Sequence, residues 1–260
     1  MSVSCGLECV LCVGCVRWAW KRLTYIGAYD SETWPPASPD DFEPVPRICQ
    51  IIMAISDDLD NPKLMPATRG YTQIDGAGVH KRTTYDEVGT ACPPYLVYVD
   101  RLRNEVVLAV RGLNLVRNAD YKVQLGMQMF DGGYVHHGLL KAAQFILERE
   151  TETLRELLRQ QGPDCKLIFA GHSLGSGIAA LMTVLVVNNR KAFGNIPRSH
   201  IRCYALAPAR CMSLNLAVKY ADVIYSIVQD DFLPRTPTPL EYIFGSIFLL
   251  VIPILLERYI

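Results

Sequence analysis

The sequence predicts an α/β protein with a mostly parallel sheet flanked by helices. Three observations carry this reading. Short apolar runs and amphipathic stretches alternate along residues 95–228, the order expected when each strand is followed by a helix. Gly, Pro, Asn and Asp punctuate that alternation where turns are needed. One stretch, Lys166-Leu-Ile-Phe-Ala-Gly171-His172-Ser173-Leu174-Gly175-Ser176-Gly177, reads as strand, sharp turn and helix in direct succession.

Size and charge bound the function. The 260 residues suit one α/β domain with short extensions, and half of them are hydrophobic, enough for a large core. The 26 basic and 26 acidic side chains cancel, which excludes a nucleic-acid partner held by phosphate neutralisation. A membrane partner stays open, because there a local patch matters more than net charge. Nine cysteines is an odd total, and the N-terminus lacks the basic cluster of a secretory signal. Free thiols in a reducing compartment follow, so the expected location is the cytoplasm or the cytoplasmic face of a membrane. No cofactor and no metal are expected, since the cysteines beyond the first fifteen residues lack paired ligand spacing.

Four stretches divide the chain. Residues 1–24 are apolar and Cys-rich. Cys5, Cys9 and Cys12 recur at spacings of four and three and so share a helical face, with Cys15 close by. Trp18 and Trp20 precede Lys21 and Arg22, the order of a helix end at a lipid–water boundary. The reading is a membrane-associating segment S-acylated on Cys5, Cys9, Cys12 or Cys15. An apolar helix packed on the domain is the plainer alternative, and a zinc site a weaker third because the segment has no histidine. Residues 25–46, with Pro35, Pro36, Pro39, Pro44 and Pro46, read as an extended connector. Residues 47–240 form the α/β domain. Residues 241–260 are an apolar tail interrupted by Gly245 and Pro253, short of a comfortable membrane span.

Within the domain, Ile48, Ile51, Ile52 and Ile55 make a helical stripe over 47–56, and 68–94 read mostly as loop. Residues 95–99 and 105–110 are strands, leading to Arg111-Gly112-Leu113. Residues 114–130 read as a mixed segment, a cover over a site, and 132–138 as a turn. A long amphipathic helix follows over 139–161, with Leu140, Ala143, Leu147, Leu154, Leu157 and Leu158 as its stripe, stopped by Gly162 and Pro163. The helix over 175–187 is apolar on nearly every face and so is central. Residues 201–206 are a strand, 213–220 a short helix, and 223–228 a further strand opening into Asp230-Asp231-Phe232-Leu233-Pro234-Arg235.

Gly171 and Gly175 flank Ser173 at the spacing of a nucleophile elbow, a tight turn with small neighbours. The following helix start aims free N–H groups and the positive end of a dipole at the serine, so the Leu174 amide supplies half of an oxyanion hole. The plainer alternative is a Gly-rich loop before a core helix. Ser173 and Asp231 both follow strand ends, where sites of parallel sheets form.

Four pieces together resemble the class 3, fungal-type lipases: Val106-Val107-Leu108-Ala109-Val110-Arg111-Gly112, Val135-His136-His137-Gly138, Gly171-His172-Ser173-Leu174-Gly175 and Asp231-Phe232-Leu233-Pro234-Arg235. Their order and spacing match as well. The opening Trp-bearing segment and Ala207-Pro208-Ala209-Arg210 resemble the plant branch, called diacylglycerol-lipase-like or calmodulin-binding heat-shock-like. The resemblance implies an α/β-hydrolase fold and a lipid substrate, a fatty-acyl glycerol ester. It implies Ser173 as nucleophile, Asp231 as the group orienting the catalytic histidine, and Leu113 as donor of the second oxyanion amide, at a position where the family usually has Ser or Thr. Through its branch it implies calmodulin as a partner of residues 18–22.

One member of the triad is missing from this pattern. In this fold the order is Ser, Asp, His, yet His80, His136, His137, His172 and His200 all precede Asp231. His136 and His137 read as a structural or exposed pair, and His172 as a residue packed under the elbow. The reading is a domain shortened at its C-terminus. Two functions follow: a lipase-type serine hydrolase, or a catalytically silent membrane-associated binding protein that keeps the fold.

Overall fold

The structure is a computed structural model that describes residues 37–55, 74–112 and 126–227, together with Cys12 and Val16. The chain divides into two compact units, one of Ser38–Asp230 and one of Met1–Ala37 with Asp231–Ile260. Nearly all described residues belong to the first. The segments 1–11, 17–36 and 228–260 lie outside the described residues, and with them the 1–24 segment (Cys12 and Val16 apart), most of the connector and the apolar tail.

Two short helices open the described chain, α1 (Pro39–Phe42) and α2 (Pro44–Met53). Here the structure departs from an extended connector running to residue 46. Proline breaks helices in their interior, but its fixed φ and absent N–H suit the first turn, where the N–H has no partner anyway. Pro39 and Pro44 sit at such positions, and Ser38 caps α1 by accepting a bond from the Asp41 amide at 3.2 Å. The isoleucine stripe is as read: Ile48, Ile51, Ile52 and Ile55 are all buried.

Strand β1 (Val79–Arg82) and the single-turn helix α3 (Tyr85–Val88) lie where the sequence reads as loop. β1 has one apolar residue in four, because it is an edge strand paired on one side only. α3 had a legible signal: Thr84 and Glu87 hold the spacing of a capping box, and the Glu87 carboxylate accepts from the Thr84 amide at 2.6 Å. Strands β2 (Tyr95–Asp100) and β3 (Glu105–Val110) form an antiparallel hairpin in unbroken register, Tyr95 opposite Val110 through Asp100 opposite Glu105.

A second, two-stranded sheet follows, β4 (Met127–Phe130) and β5 (Gly133–His136). Its turn is Asp131-Gly132, both at positive φ (50° and 83°), the geometry that matches the twist of a two-residue hairpin. This replaces the mixed segment and turn read from the sequence. Of the segment 114–130 read as a cover, residues 114–125 lie outside the described residues. Helix α4 (His137–Gln161), strand β6 (Lys166–His172), helix α5 (Leu174–Asn188), strand β7 (Ile201–Leu206), helix α6 (Leu214–Lys219) and strand β8 (Ile224–Ile227) complete the order.

The main sheet runs β1-β2-β3-β6-β7-β8. β3, β6, β7 and β8 are mutually parallel, and β2 and β1 join antiparallel at one edge. The sheet is therefore mostly parallel among its central and far strands, with an antiparallel border. Its residues alternate between two cores. Val97, Leu108, Phe169 and Cys203 face α4 and α5, while Leu96, Ala109, Ile168 and Tyr204 face α2. α5 is buried nearly all round between the sheet and α4, as its apolar faces require. Every residue of the α4 stripe is buried. The stripe also contains Glu150, wholly buried, whose carboxylate accepts from the Tyr95 hydroxyl and the Lys81 ammonium, each at 2.5 Å.

Candidate active site

Ser173 stands at the junction of β6 and α5 with φ 54° and ψ −118°. A side chain raises the energy of that conformation, so the turn persists only where its surroundings hold it. Four hydrogen bonds do so. The Ser173 amide donates to the Leu206 carbonyl at 2.9 Å. The Ser173 carbonyl accepts from the Ser176 amide at 3.1 Å, the Ser176 hydroxyl at 2.5 Å and the Ala209 amide at 3.3 Å. Ser176 is fully buried and its hydroxyl also accepts from Ala209. It ties the elbow to the turn after β7, and nothing in the sequence pattern singled it out.

The two flanking glycines are required by close approach. A Cβ on Gly171 would lie 2.3 Å from the carbonyl carbon and oxygen of Gly175. A Cβ on Gly175 would lie 2.4 Å from the Arg111 carbonyl oxygen and 2.5 Å from that of Val110. The start of α5 is thus pressed onto the end of β3, whose Val110 is in register with Gly171. This brings Arg111-Gly112 beside the elbow. The Arg111 amide donates to the Pro94 carbonyl at 3.0 Å, and its guanidinium lies 5.6 Å from the centre of the Tyr85 ring.

Leu174, the first residue of α5, is half-buried, and its amide belongs to the turn whose N–H groups have no partner within the helix. Leu113 follows Gly112 directly but lies outside the described residues, as does Asp231. The strand ends His172, Leu206 and Ile227 are in register across β6, β7 and β8, and Asp231 follows β8 in the chain. Ala207, just past β7, also has positive φ (47°), and its amide donates to the Ile227 carbonyl at 3.0 Å.

The histidines divide clearly. His136 is buried at the N-cap of α4, where Nδ1 accepts from the Leu139 amide at 3.3 Å. His137 Nδ1 is bonded to Gln128 Oε1. These are the structural roles read for the pair. His172 is exposed, against the expectation that it packs under the turn. Gly112 lies close by, and a Cβ there would sit 3.0 Å from His172 Nδ1, so the imidazole lies along the strand-end surface. His80 is exposed on the edge strand β1, and His200 precedes β7 at the opposite end of the sheet from Ser173.

Of the cysteines read as acylation sites, Cys12 is helical and exposed, while Cys5, Cys9 and Cys15 lie outside the described residues. Cys92, Cys165, Cys203 and Cys211 are buried free thiols. Burial pushes Cys92, Cys203 and Cys211 up to about 12 and Cys165 to about 11, far from thiolate chemistry at neutral pH. Among the described residues no helix is long and apolar enough to cross a membrane.

With this geometry in hand, comparison with known proteins is specific. The Lipase (class 3) family profile matches residues 107–241, and the profile of the Lipase 3 N-terminal region matches residues 6–73. Among curated proteins the chain is similar to diacylglycerol lipase-beta of Mus musculus, 28% identical over 152 residues, covering 55% of this chain and 21% of that one. It is similar to diacylglycerol lipase-alpha of Homo sapiens at 27% over 173 residues, covering 59% of this chain and 16% of that one. The chain thus spans about a fifth or less of the length of these relatives. Its fold is that of solved fungal lipases. The Rhizomucor miehei triacylglyceride lipase superposes with TM-score 0.57 at 16% identity, over 77% of this chain and 76% of that one. A lipase from Rhizopus microsporus var. chinensis gives TM-score 0.57 at 16% identity, over 78% and 71%. The fold is therefore α/β-hydrolase, and the chain belongs to the class 3 lipase family.

Proposed function

We propose that this chain carries a lipase-type serine hydrolase site for fatty-acyl glycerol esters. The observation that carries the proposal is the held, positive-φ Ser173 at the strand-to-helix turn. A serine at that turn is presented to substrate with a helix N-terminus beside it, which is what acyl transfer needs. In this reading Ser173 Oγ attacks the ester carbonyl and the amides of Leu174 and Leu113 hold the oxyanion. Asp231 is the carboxylate that would orient a histidine base for the Ser173 proton, a role assigned to none of the five histidines, all of which precede Asp231. Diacylglycerol lipases among the relatives support an acylglycerol substrate.

A second reading has a specific observation behind it: a catalytically silent, membrane-associated protein retaining the fold. His136 and His137 are occupied by hydrogen bonds to Leu139 and Gln128, and all five histidines precede Asp231. A serine hydroxyl without a base is a poor nucleophile. Turnover of a diacylglycerol emulsion, compared between the chain extended by a His-bearing segment of the class 3 lipase type and the Ser173→Ala variant of that extended chain, separates the two. Turnover lost on substitution supports the hydrolase, and its absence in both supports the silent protein. The segment 18–22 as a calmodulin target is tested by titrating calcium-loaded calmodulin against the chain and following Trp fluorescence. An unchanged spectrum removes that partner.

A further inference from the structure

We infer that the loop closing α5 binds a small phosphomonoester, in a site separate from the serine elbow. The inference makes no use of the hydrolase reading. α5 begins directly after Ser173 and runs 15 residues to Asn188, so its far end lies roughly 22 Å from the serine. There the chain turns back on itself. Asn189 closes the helix, its amide donating to the Leu185 and Val186 carbonyls. A single 3₁₀ turn follows over Arg190–Phe193, and then Gly194 and Asn195 take left-handed backbone, with φ 72° and 58°. The Asn195 amide thereby returns to the Arg190 carbonyl at 3.0 Å. Phe193 and Ile196 are buried in the core and pin the loop on either side of that turn.

A cavity of about 390 Å³ opens on this loop, lined by Val187, Asn188, Asn189, Arg190, Lys191 and Asn195. That is room for a small molecule. Five of the six lining residues are polar, two of them are cationic, and none of the described residues that line it is acidic. The donors are not spent elsewhere. The Lys191 ammonium and the carboxamides of Asn189 and Asn195 have no partner among the described residues. Arg190 gives one N–H to the Ile196 carbonyl at 3.5 Å, which leaves most of its five donors for a ligand. Asn188 is different. Its Oδ1 accepts from the Tyr220 hydroxyl at 2.9 Å, so it serves as wall. Asp131 accepts from the same hydroxyl, and its charge is already matched by Lys219 at 2.8 Å.

This donor set selects phosphate. Cations at a helix C-terminus have a plainer use, since they offset the negative end of the dipole. That end carries only about half a charge, however, and two full positive charges face it here. A carboxylate has two oxygens, and one guanidinium fork occupies both. A phosphomonoester brings three terminal oxygens and a charge of about −1.5 to −2 at neutral pH. It takes the Arg190 fork, the Lys191 ammonium and a carboxamide N–H at once. The carboxamide oxygens of Asn189 and Asn195 are then left to accept from hydroxyls on the rest of the ligand.

The test is isothermal titration of the full chain with glucose 6-phosphate at low ionic strength, beside inorganic phosphate and glucose. The two phosphates should bind and glucose should not. Arg190→Gln/Lys191→Gln should weaken both by about tenfold, the scale of a charged hydrogen bond. Both side chains are exposed, so the melting temperature should be kept. Asn195→Gly keeps the left-handed backbone and removes only the carboxamide, and should weaken glucose 6-phosphate about threefold. A chain that binds neither phosphate overturns the inference. So does binding that these variants leave unaltered, which places the anion elsewhere. A double variant that loses stability while Asn195→Gly binds like the wild type also overturns it, since the two cations then serve the helix end alone. Ser173→Ala should bind phosphate as the wild type does. Loss of phosphate binding in that variant defeats a separate site, whereas absence of ester turnover bears on the hydrolase reading alone.

Discussion

Gly175→Ala tests whether the elbow is built as described. The added Cβ would lie 2.4 Å from the Arg111 oxygen, 2.5 Å from the Val110 oxygen and 2.8 Å from the Arg111 carbonyl carbon. An unstrained carbon–oxygen contact needs about 3.3 Å or more, so roughly 1 Å must be found. Both sides are main chain. Val110 is held in the sheet beside Gly171, and the Arg111 amide is tied to Pro94. Overpacking costs about 1–3 kcal/mol, and two immobile sides place this change near ~3 kcal/mol. For a domain of this size that is a fall in melting temperature of roughly 6–12 °C. Urea unfolding followed by circular dichroism measures it. The matched control is Gly76→Ala, where a Cβ meets nothing within 4 Å. It should stay within about 0.5 kcal/mol of the wild type. A Gly175→Ala chain as stable as the control would refute the close approach of α5 to β3. It would also remove the reason for placing Arg111-Gly112 beside the serine.

Ser173→Gly should stabilise the chain by about 1 kcal/mol: it releases roughly 1–3 kcal/mol of backbone strain and returns about 0.5–1 kcal/mol of glycine entropy. Ser173→Ala keeps the strain, so equal unfolding midpoints for the two variants would contradict a strained elbow. The Lys219 ammonium, with the Tyr220 hydroxyl, holds the Asp131 carboxyl below its usual value of 3.8. A lowered carboxylate pKa contributes stability that is present above the unfolded value and lost as pH falls through the folded one. Amide exchange in β4 and β5 should therefore quicken relative to the core below about pH 4 in the wild type, and Asp131→Asn should flatten that dependence. Fractionation of cells expressing the wild type and a variant with serine at Cys5, Cys9, Cys12 and Cys15 tests acyl anchoring. The variant should shift to the soluble fraction, and equal partitioning excludes acylation as the anchor.

The parts of the fold that were legible are those where one residue property dominates. β2, β3 and β7 are apolar runs because both sheet faces are covered, and α4 and α5 differ visibly because α4 has one wet side and α5 has none. What escaped depends on position in the fold. Pro39 and Pro44 look like breakers until a helix is known to start there. Val79–Arg82 joins the sheet through backbone pairing, to which its polar side chains give no clue. Asp131-Gly132 is itself a hairpin signal, since both positions adopt positive φ. At the site, the Gly-x-Ser-x-Gly spacing is visible, but the carbonyls of Val110 and Arg111 that exclude a side chain at Gly175 arrive from a strand far back in the sequence. The Ser176 hydroxyl that clamps the elbow is equally non-local, since its partner Ala209 lies beyond β7.

The central proposal is that Ser173 is an acyl-transfer nucleophile whose base is none of the five histidines that precede Asp231. Hydrolysis of a short p-nitrophenyl ester measures it most directly, on the 260-residue chain and on the same chain extended by a His-bearing segment of the class 3 lipase type. The account predicts very slow turnover for the 260 residues, little changed by Ser173→Ala, because loss of one triad member costs several orders of magnitude. It predicts restored turnover in the extended chain, abolished by Ser173→Ala. Rapid turnover by the 260 residues that Ser173→Ala destroys would contradict it, and would require a histidine upstream of Asp231 to leave its present hydrogen bonds and reach the serine.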